Sequence, residues 1–192
     1  MYARHFSGYS KPSHNATDLR KASVIRASLR GSYRWNKRDS VRQRSHDWEN
    51  CNLRGMGPDG SFAYRDGAKG FARLCVKIAL RRLKARHNMT EEAVTEVRSS
   101  FMARFVVTDE RKSWGGLSGI YMASWAWTKV IIAHEVAHWI DGHDMNLSDA
   151  YRAGHGAEWM GWFHVLLTEA VGFTDAYLTE TLAKNGLRRV MP

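Results

Sequence analysis

Two histidines and a glutamate in the second half of the chain have the types and spacing of a metal-dependent hydrolase. His134, Glu135 and His138 form the pattern HExxH. Residues four positions apart lie on one face of a helix, so both imidazoles can reach one metal ion. This pattern is the signature of zinc peptidases, in which the glutamate is the general base. We therefore predict that His134 and His138 bind Zn²⁺ and that Glu135 is catalytic.

A third zinc ligand is expected further along the chain. Catalytic zinc usually takes three protein ligands and leaves a fourth position for water. Spacing alone leaves several downstream candidates open, namely Asp141, His143, Asp144, His155 and Glu158. A carboxylate in the acidic stretch that begins at Asp141 is also placed to accept the second N–H of a ligand histidine.

The order of the motifs resembles a known family. HExxH is followed by a connection of some sixteen residues and then by the pattern HGxEW, from His155 to Trp159. This arrangement resembles the SprT-like zinc metallopeptidases, which include the Spartan DNA–protein crosslink proteases. The resemblance implies that His155 is the third ligand, that Glu135 is the base, and that Glu158 orients a ligand or holds the helix start. It covers roughly residues 70–186, and only the two motifs are specific.

The elements around these residues favour an α+β fold with a zincin-like core, in which a small sheet and helices support HExxH on a buried helix. Residues 130–140 are almost wholly apolar apart from the motif and carry no Gly or Pro. We expect Thr128 or Ser124 to cap this helix and Gly142 to end it. Gly115 and Gly116 predict a turn, followed by a strand over residues 117–123. If that strand is an edge, it can pair with an extended peptide substrate.

The charge of the chain is concentrated near its start. The net charge is +10, and residues 1–60 hold 12 Lys and Arg against 5 Asp and Glu. We predict a basic, partly flexible extension over residues 1–60 and a SprT-like core over residues 61–192. Cations neutralise phosphates and aromatic rings stack on bases, so the extension is expected to bind nucleic acid, DNA rather than RNA. The candidate residues are Arg34, Trp35, Lys37, Arg38, Arg42 and Arg44.

Composition narrows the class of protein further. The sequence has no apolar run of 18 residues, which predicts no membrane span. The only cysteines are Cys51 and Cys75, so the zinc ribbon of several SprT-like proteins cannot be built, and a reducing cytoplasm is expected. The predicted function is a zinc metalloendopeptidase that acts on nucleic-acid-associated proteins. The alternatives are a nucleic-acid-binding or interaction protein on a zincin scaffold with structural zinc, and a general peptidase whose charge only maintains solubility.

Overall fold

The structure, a computed structural model, describes residues 32–105, 112–148 and 154–192, with side chains described from residue 40 onward. This part of the chain is α+β and mostly helical. Its helices are α1 (Ser32–Asn52), α2 (Arg65–His87), α3 (Glu91–Ser100), α4 (Lys129–Ser148), α5 (Ala157–Leu166) and α6 (Asp175–Lys184). A short 3₁₀ turn (Ser124–Ala126) precedes α4, and a π turn (Leu167–Val171) continues α5.

The described strands form one small three-stranded sheet. They are β1 (Met102–Phe105), β2 (Trp114–Gly116) and β3 (Gly119–Met122), in the spatial order β1-β3-β2. β3 pairs in parallel with β1 and antiparallel with β2. The strand predicted over residues 117–123 is therefore shorter and central, with both of its edges occupied. Among the described strands, the edge strand beside α4 is β2. The turn predicted at Gly115 and Gly116 is wrong, because both residues lie in β2 and the turn follows at residues 117–118.

Helix α4 lies at the centre of the molecule, packed against α2, α5, β2 and β3. Its apolar residues face neighbours on every side, and Trp139 is fully buried. The side chains of Trp159, Trp162 and Phe163 on α5 complete this part of the core. Burial of such aromatic side chains contributes roughly 1.5–3 kcal/mol each. This contribution stabilises a helix whose buried residues include four titratable ones, His134, Glu135, Asp141 and Asp144.

The predicted end of α4 at Gly142 is wrong, since the helix continues to Ser148. Gly142 packs beneath Leu117, and a Cβ there would lie 3.0 Å from the Leu117 Cδ2 atom. The glycine therefore serves close packing rather than termination. As a consequence, the acidic stretch that begins at Asp141 is helical as far as Ser148, and Asp141 and Asp144 are both buried. The predicted cap at Thr128 is confirmed, because its Oγ1 accepts a hydrogen bond from the Ile131 N–H.

Residues Ser40–Pro192 form one compact unit, and the predicted division at residue 60 stays a prediction. The second half of α1 belongs to the core, where Trp48 and Leu53 are fully buried. The Trp48 Nε1–H donates to Thr181 Oγ1 over 3.0 Å. In the sequence, the basic residues that dominate the composition of residues 1–60 obscure these few apolar anchors.

None of the helices within residues 32–105, 112–148 and 154–192 has the length and apolar character that crossing a bilayer requires.

Candidate metal centre

Helix α4 presents the HExxH residues from inside the core. Its first turn is held by two side-chain acceptors, Thr128 and Asp59, the latter accepting from the Val130 N–H over 3.0 Å. His134 and Glu135 are buried, while His138 is partly exposed. The four-residue spacing places the two imidazoles on one face of the helix, with ring centroids 5.0 Å apart. One side of the set is therefore accessible and the rest is enclosed.

His155 reaches the same place from the segment that precedes α5. Its backbone has φ of 62°, in the left-handed region that residues other than glycine seldom adopt. The side chain is buried, and its ring lies 4.4 Å from that of Trp159, one turn into α5. A backbone conformation of this kind costs free energy and persists where the surroundings enforce it, often at functional sites.

The three imidazoles converge on one point. His155 Nε2 lies 3.3 Å from His138 Nε2 and 3.3 Å from His134 Nε2. Two nitrogen ligands on a tetrahedral zinc ion, each about 2.0–2.1 Å from the metal, are separated by about 3.3–3.4 Å. A hydrogen bond from one N–H could account for only one of these two contacts. A single metal cation accepts the Nε2 lone pairs of all three histidines. The three histidines are therefore close enough to bind a metal ion.

Glu49 on α1 fixes the orientation of His134. Its Oε2 atom lies 2.6 Å from His134 Nδ1, and its side chain is 1% exposed. The Arg54 guanidinium donates to Glu49 Oε1 through Nε, at 2.9 Å, and through Nη2, at 2.6 Å. Because Nδ1–H donates to Glu49, the Nε2 lone pair of neutral His134 is directed at the other two imidazoles. Carboxylates that hold metal-binding histidines in this way are a recurrent feature of metal sites.

The local charges favour different protonation states for the three rings. Burial, together with repulsion from neighbouring histidines, lowers the pKa of His155 to about 2 and that of His138 well below its usual value. Burial acts on His134 in the same direction, but the Glu49 carboxylate outweighs it and raises the pKa of His134. Burial would raise the pKa of Glu49, yet His134 and Arg54 hold it at about 2. Two ligands are thus neutral at pH 7 and ready to bind a metal.

Glu135 lies beside the histidine cluster without belonging to it. Burial raises the pKa of its carboxyl group to about 7, although His134 opposes the shift. The backbone N–H of Gly115 donates to this carboxylate. Gly115 is pressed so closely on α4 that a Cβ atom would overlap the carbonyl oxygen of Glu135. Glycine at position 115 therefore permits the edge strand β2 to lie directly on the helix that carries the site.

Two further rings border the cluster. Trp159 is buried, and its ring centroid lies between 4.4 and 5.0 Å from those of all three histidines. His46 on α1 is partly exposed, with its ring stacked on His134 at 5.7 Å and tilted against His155 at 4.8 Å. Trp159 closes one wall of the site, while His46 lies on the face of α1 that is directed at it.

The predicted ligands are brought together, and the alternatives are not. Within the described ranges, the convergent group of ligand atoms comprises His134, His138 and His155 only. Glu158 lies in the first turn of α5 and Asp141 is buried on α4, both outside that group. The carboxylate that orients a ligand is Glu49. Sequence reasoning missed it because it is 85 residues from its partner and lies in a segment interpreted as an extension.

The proposed nucleic-acid residues are only partly described. The side chains of Arg34, Trp35, Lys37 and Arg38 lie outside the described residues, although their backbone belongs to α1. Arg42 and Arg44, further along the same helix, are exposed. Their accessibility is compatible with contact to a polyanion, which stays a prediction.

No protein-family model matches the chain, and no curated protein and no solved structure matches it significantly. The resemblance to SprT-like peptidases thus rests on the HExxH and HGxEW motifs.

Proposed function

We propose that this protein is a zinc-dependent metallopeptidase with His134, His138 and His155 as ligands and Glu135 as the general base. The observation that carries the proposal is the convergence of three imidazole nitrogens beside the buried carboxylate of Glu135, which lies on the helix that carries His134 and His138. Three nitrogen ligands are typical of catalytic zinc, whereas structural sites usually have four protein ligands. When bound, zinc supplies Lewis-acid polarisation of a peptide carbonyl and activation of a water molecule.

Glu135 performs the proton transfers in this proposal. Its carboxylate takes a proton from the attacking water and passes it to the amine that leaves when the C–N bond breaks. A general base works best when its pKa lies near the working pH, and burial raises that of Glu135 to about 7. The Gly115 N–H donates to this carboxylate and helps to position it for the proton transfers.

The position of β2 supports a peptide as the substrate. Within β2, Gly115 lies opposite Ile120 of β3, and its N–H donates to the Glu135 carboxylate. The free edge of β2 therefore lies along the site. An extended peptide can add to such an edge through backbone hydrogen bonds that do not depend on its sequence. We expect the scissile bond to lie where this edge meets Glu135.

A second candidate function is an interaction protein with structural zinc. The observation that favours it is the His46 ring, 4.8 Å from that of His155, because a rotation of His46 would supply a fourth imidazole. In that case, His46→Ala would weaken zinc binding as strongly as loss of any other ligand. In the peptidase proposal His46 does not bind the metal, so the variant retains one zinc per chain.

We also propose that the substrates are proteins associated with nucleic acid, DNA rather than RNA. The support is the excess of cations over residues 1–60 and the exposure of Arg44. Binding to DNA through phosphate contacts weakens steeply as salt rises. Fluorescence anisotropy with single- and double-stranded oligonucleotides at several salt concentrations tests this, and affinity that is absent at low salt contradicts it.

Cleavage of casein by the purified zinc-loaded protein tests the peptidase assignment. Glu135→Gln should retain zinc and lower the cleavage rate by about 10²–10⁴-fold, because the general base is lost while the ligands are kept. Glu180→Gln, which alters an exposed glutamate on α6, is the matched control and should cleave at the original rate. Undiminished cleavage by the Glu135→Gln protein would refute the assignment.

A further inference from the structure

One face of α1 is directed at the metal centre and changes in character along its length. Arg42, His46 and Glu49 are four and three residues apart, so they follow one another on a single face of the helix. Glu49 is buried and contacts His134, His46 is partly exposed, and Arg42 is exposed. This face thus leads from solvent to the histidine cluster.

His46 is the residue of this face whose ring contacts the histidine cluster. Its ring is stacked on His134 with planes 17° apart and is also close to His155. The contacts leave His46 beside the metal ligands but outside the convergent group. A ring in this position has a nitrogen available to donate a hydrogen bond to a group that enters the site.

Arg42 lies one helical turn further out and makes no ion pair within the part of the chain that the structure describes. Its charge nevertheless contributes, after burial and the neighbouring histidines, to lowering the pKa of His46, His138 and His155, which come from three separate segments. Arg44, two residues on, is rotated by about 200° around the helix. It extends elsewhere, with its Nη1 atom 3.2 Å from the position that a Cβ on Gly186 would take.

We propose that Arg42 and His46 form a subsite for a carboxylate of the peptide substrate, adjacent to the metal centre. The proposal rests on the peptidase function and names its preferred substrates as peptides with an acidic group near the scissile bond. Arg42 binds the carboxylate through its planar guanidinium, and His46 adds a hydrogen bond on the side towards the metal.

The dimensions of α1 set how far the acidic group lies from the cleaved bond. Glu49 contacts His134 and so marks the level of the metal centre on α1. Arg42 lies seven residues from Glu49, or about 10 Å along the helix axis. An extended peptide covers about 3.3 Å per residue. The carboxylate recognised at Arg42 therefore belongs to a residue within about three positions of the scissile bond.

The charges favour a single carboxylate over a nucleic-acid backbone at this face. On this face, Arg42 is the only Lys or Arg side chain between residues 40 and 49, and the buried Glu49 lies seven residues further along. Consecutive phosphates would require several cations on this face. One carboxylate is matched by one guanidinium.

Binding to the zinc-loaded Glu135→Gln protein tests the subsite without requiring hydrolysis. The probes are fluorescein-labelled, amidated octapeptides of Gly and Ala that carry one central Glu or one central Gln. We expect the Glu peptide to bind about tenfold more tightly, as a charge-assisted contact with Arg42 should provide. Adding Arg42→Ala should remove the preference, and adding Arg44→Ala, which removes the same charge from another face of α1, should leave it intact.

Two further probes separate other ligands. A Gln peptide with a free carboxyl terminus that gains affinity only when Arg42 is present would place the recognised carboxylate at the chain end and support the subsite. Equal affinity for the Glu and Gln peptides, or a preference that survives Arg42→Ala, would overturn it. If Arg42→Ala weakened the binding of oligo-dT but not that of the Glu peptide, the proposal would also be overturned, and this face would be assigned to nucleic acid. Failure of the peptidase function appears separately, as absent cleavage by the unsubstituted protein.

Discussion

Two buried carboxylates in this protein have nearly the same partners and contrasting surroundings. Glu49 contacts His134 Nδ1 over 2.6 Å and is paired with Arg54. Asp144 contacts His87 Nε2 over 2.6 Å and is paired with Arg86. Both carboxylates are buried. The two sets lie at different ends of α4, since His134, the partner of Glu49, is in its first half and Asp144 is in its second half.

The two sets differ in the surroundings of the histidine's second ring nitrogen, the one that does not contact the carboxylate. At Glu49, the carboxylate occupies Nδ1, and Nε2 is directed at two further imidazoles. At Asp144, the carboxylate occupies Nε2 and also accepts a hydrogen bond from Trp162 Nε1–H. His87 does not belong to any convergent group of metal-binding residues within the described part of the chain. An arginine–carboxylate–histidine set therefore ties helices together, and only the added imidazoles at His134 bring ligand atoms close enough to bind a metal ion.

Removing one histidine from the metal-binding cluster and one from the Asp144 set should give the largest contrast. His155→Ala takes away one of three convergent nitrogens, so we expect the purified protein to lose stoichiometric zinc. His87→Ala removes an imidazole of the same type at the other set and should retain one zinc per chain. Metal analysis after dialysis measures both. Full zinc content in the His155→Ala protein would end the comparison, since the two sets would then be equivalent.

Asp144→Ala should affect stability rather than metal affinity. Removing one partner of a buried ion pair leaves the others uncompensated, which costs about 3–5 kcal/mol. We expect the free energy of unfolding in urea, measured with zinc chelated in both proteins, to fall by that amount. Zinc affinity of the folded variant should be unchanged. A loss of affinity larger than the loss of stability would show that the second set also serves the metal.

Glu49→Gln should affect metal affinity with a smaller cost in stability. Loss of a carboxylate that orients a metal-binding histidine typically weakens metal affinity 10–100-fold. Competition with a chromophoric chelator measures the dissociation constant. Asp47→Asn is the matched control on the same helix, because Asp47 is exposed and bonded only to Gln43 among the contacts described for it. Equal affinity in the two variants would remove the role assigned to Glu49.

The pH dependence of zinc affinity should reveal the same asymmetry with a smaller effect. His138 and His155 have lowered pKa values, so both are neutral well below pH 6.5, whereas the raised pKa of His134 keeps it protonated there. Zinc binding should thus displace about one proton, and affinity should fall about tenfold per pH unit between about pH 5 and 6.5. Three ordinary histidines would give a much steeper fall.

The Glu135→Gln protein is the appropriate background for that titration, since Glu135 would otherwise release a proton of its own. Glu49→Gln added to it should flatten the dependence, because the charge that raises the pKa of His134 is gone. A slope near three protons per zinc in the parent would contradict the assignment.

The parts of this site that sequence could predict are local ones. HExxH places His134 and His138 on one helical face through a spacing of four residues, and the Thr128 cap depends on a neighbour three residues away. His155 is 17 residues from His138, and spacing alone left it among five candidates. Only the resemblance to SprT-like peptidases favoured it.

The parts that could not be predicted depend on distant contacts. Glu49 is positioned by the packing of Trp48 and Leu53 against the core, which the basic composition of residues 1–60 conceals. Gly142 was expected to end α4 from its intrinsic preference, but packing against Leu117 determines its role. Whether the strand after Gly116 lies at an edge depends on β1, whose pairing with β3 is parallel and non-local.

Titration of the metal-free protein with cobalt(II), followed by visible absorption, tests most directly whether three imidazoles hold one ion. Cobalt(II) takes the same nitrogen ligands as zinc and absorbs strongly only in low-coordinate sites without a centre of symmetry. The metal centre described here predicts intense bands that saturate at one equivalent in the unsubstituted protein and are absent in the His155→Ala protein. A spectrum no stronger than that of cobalt(II) in water would contradict the metal centre and the function proposed for it.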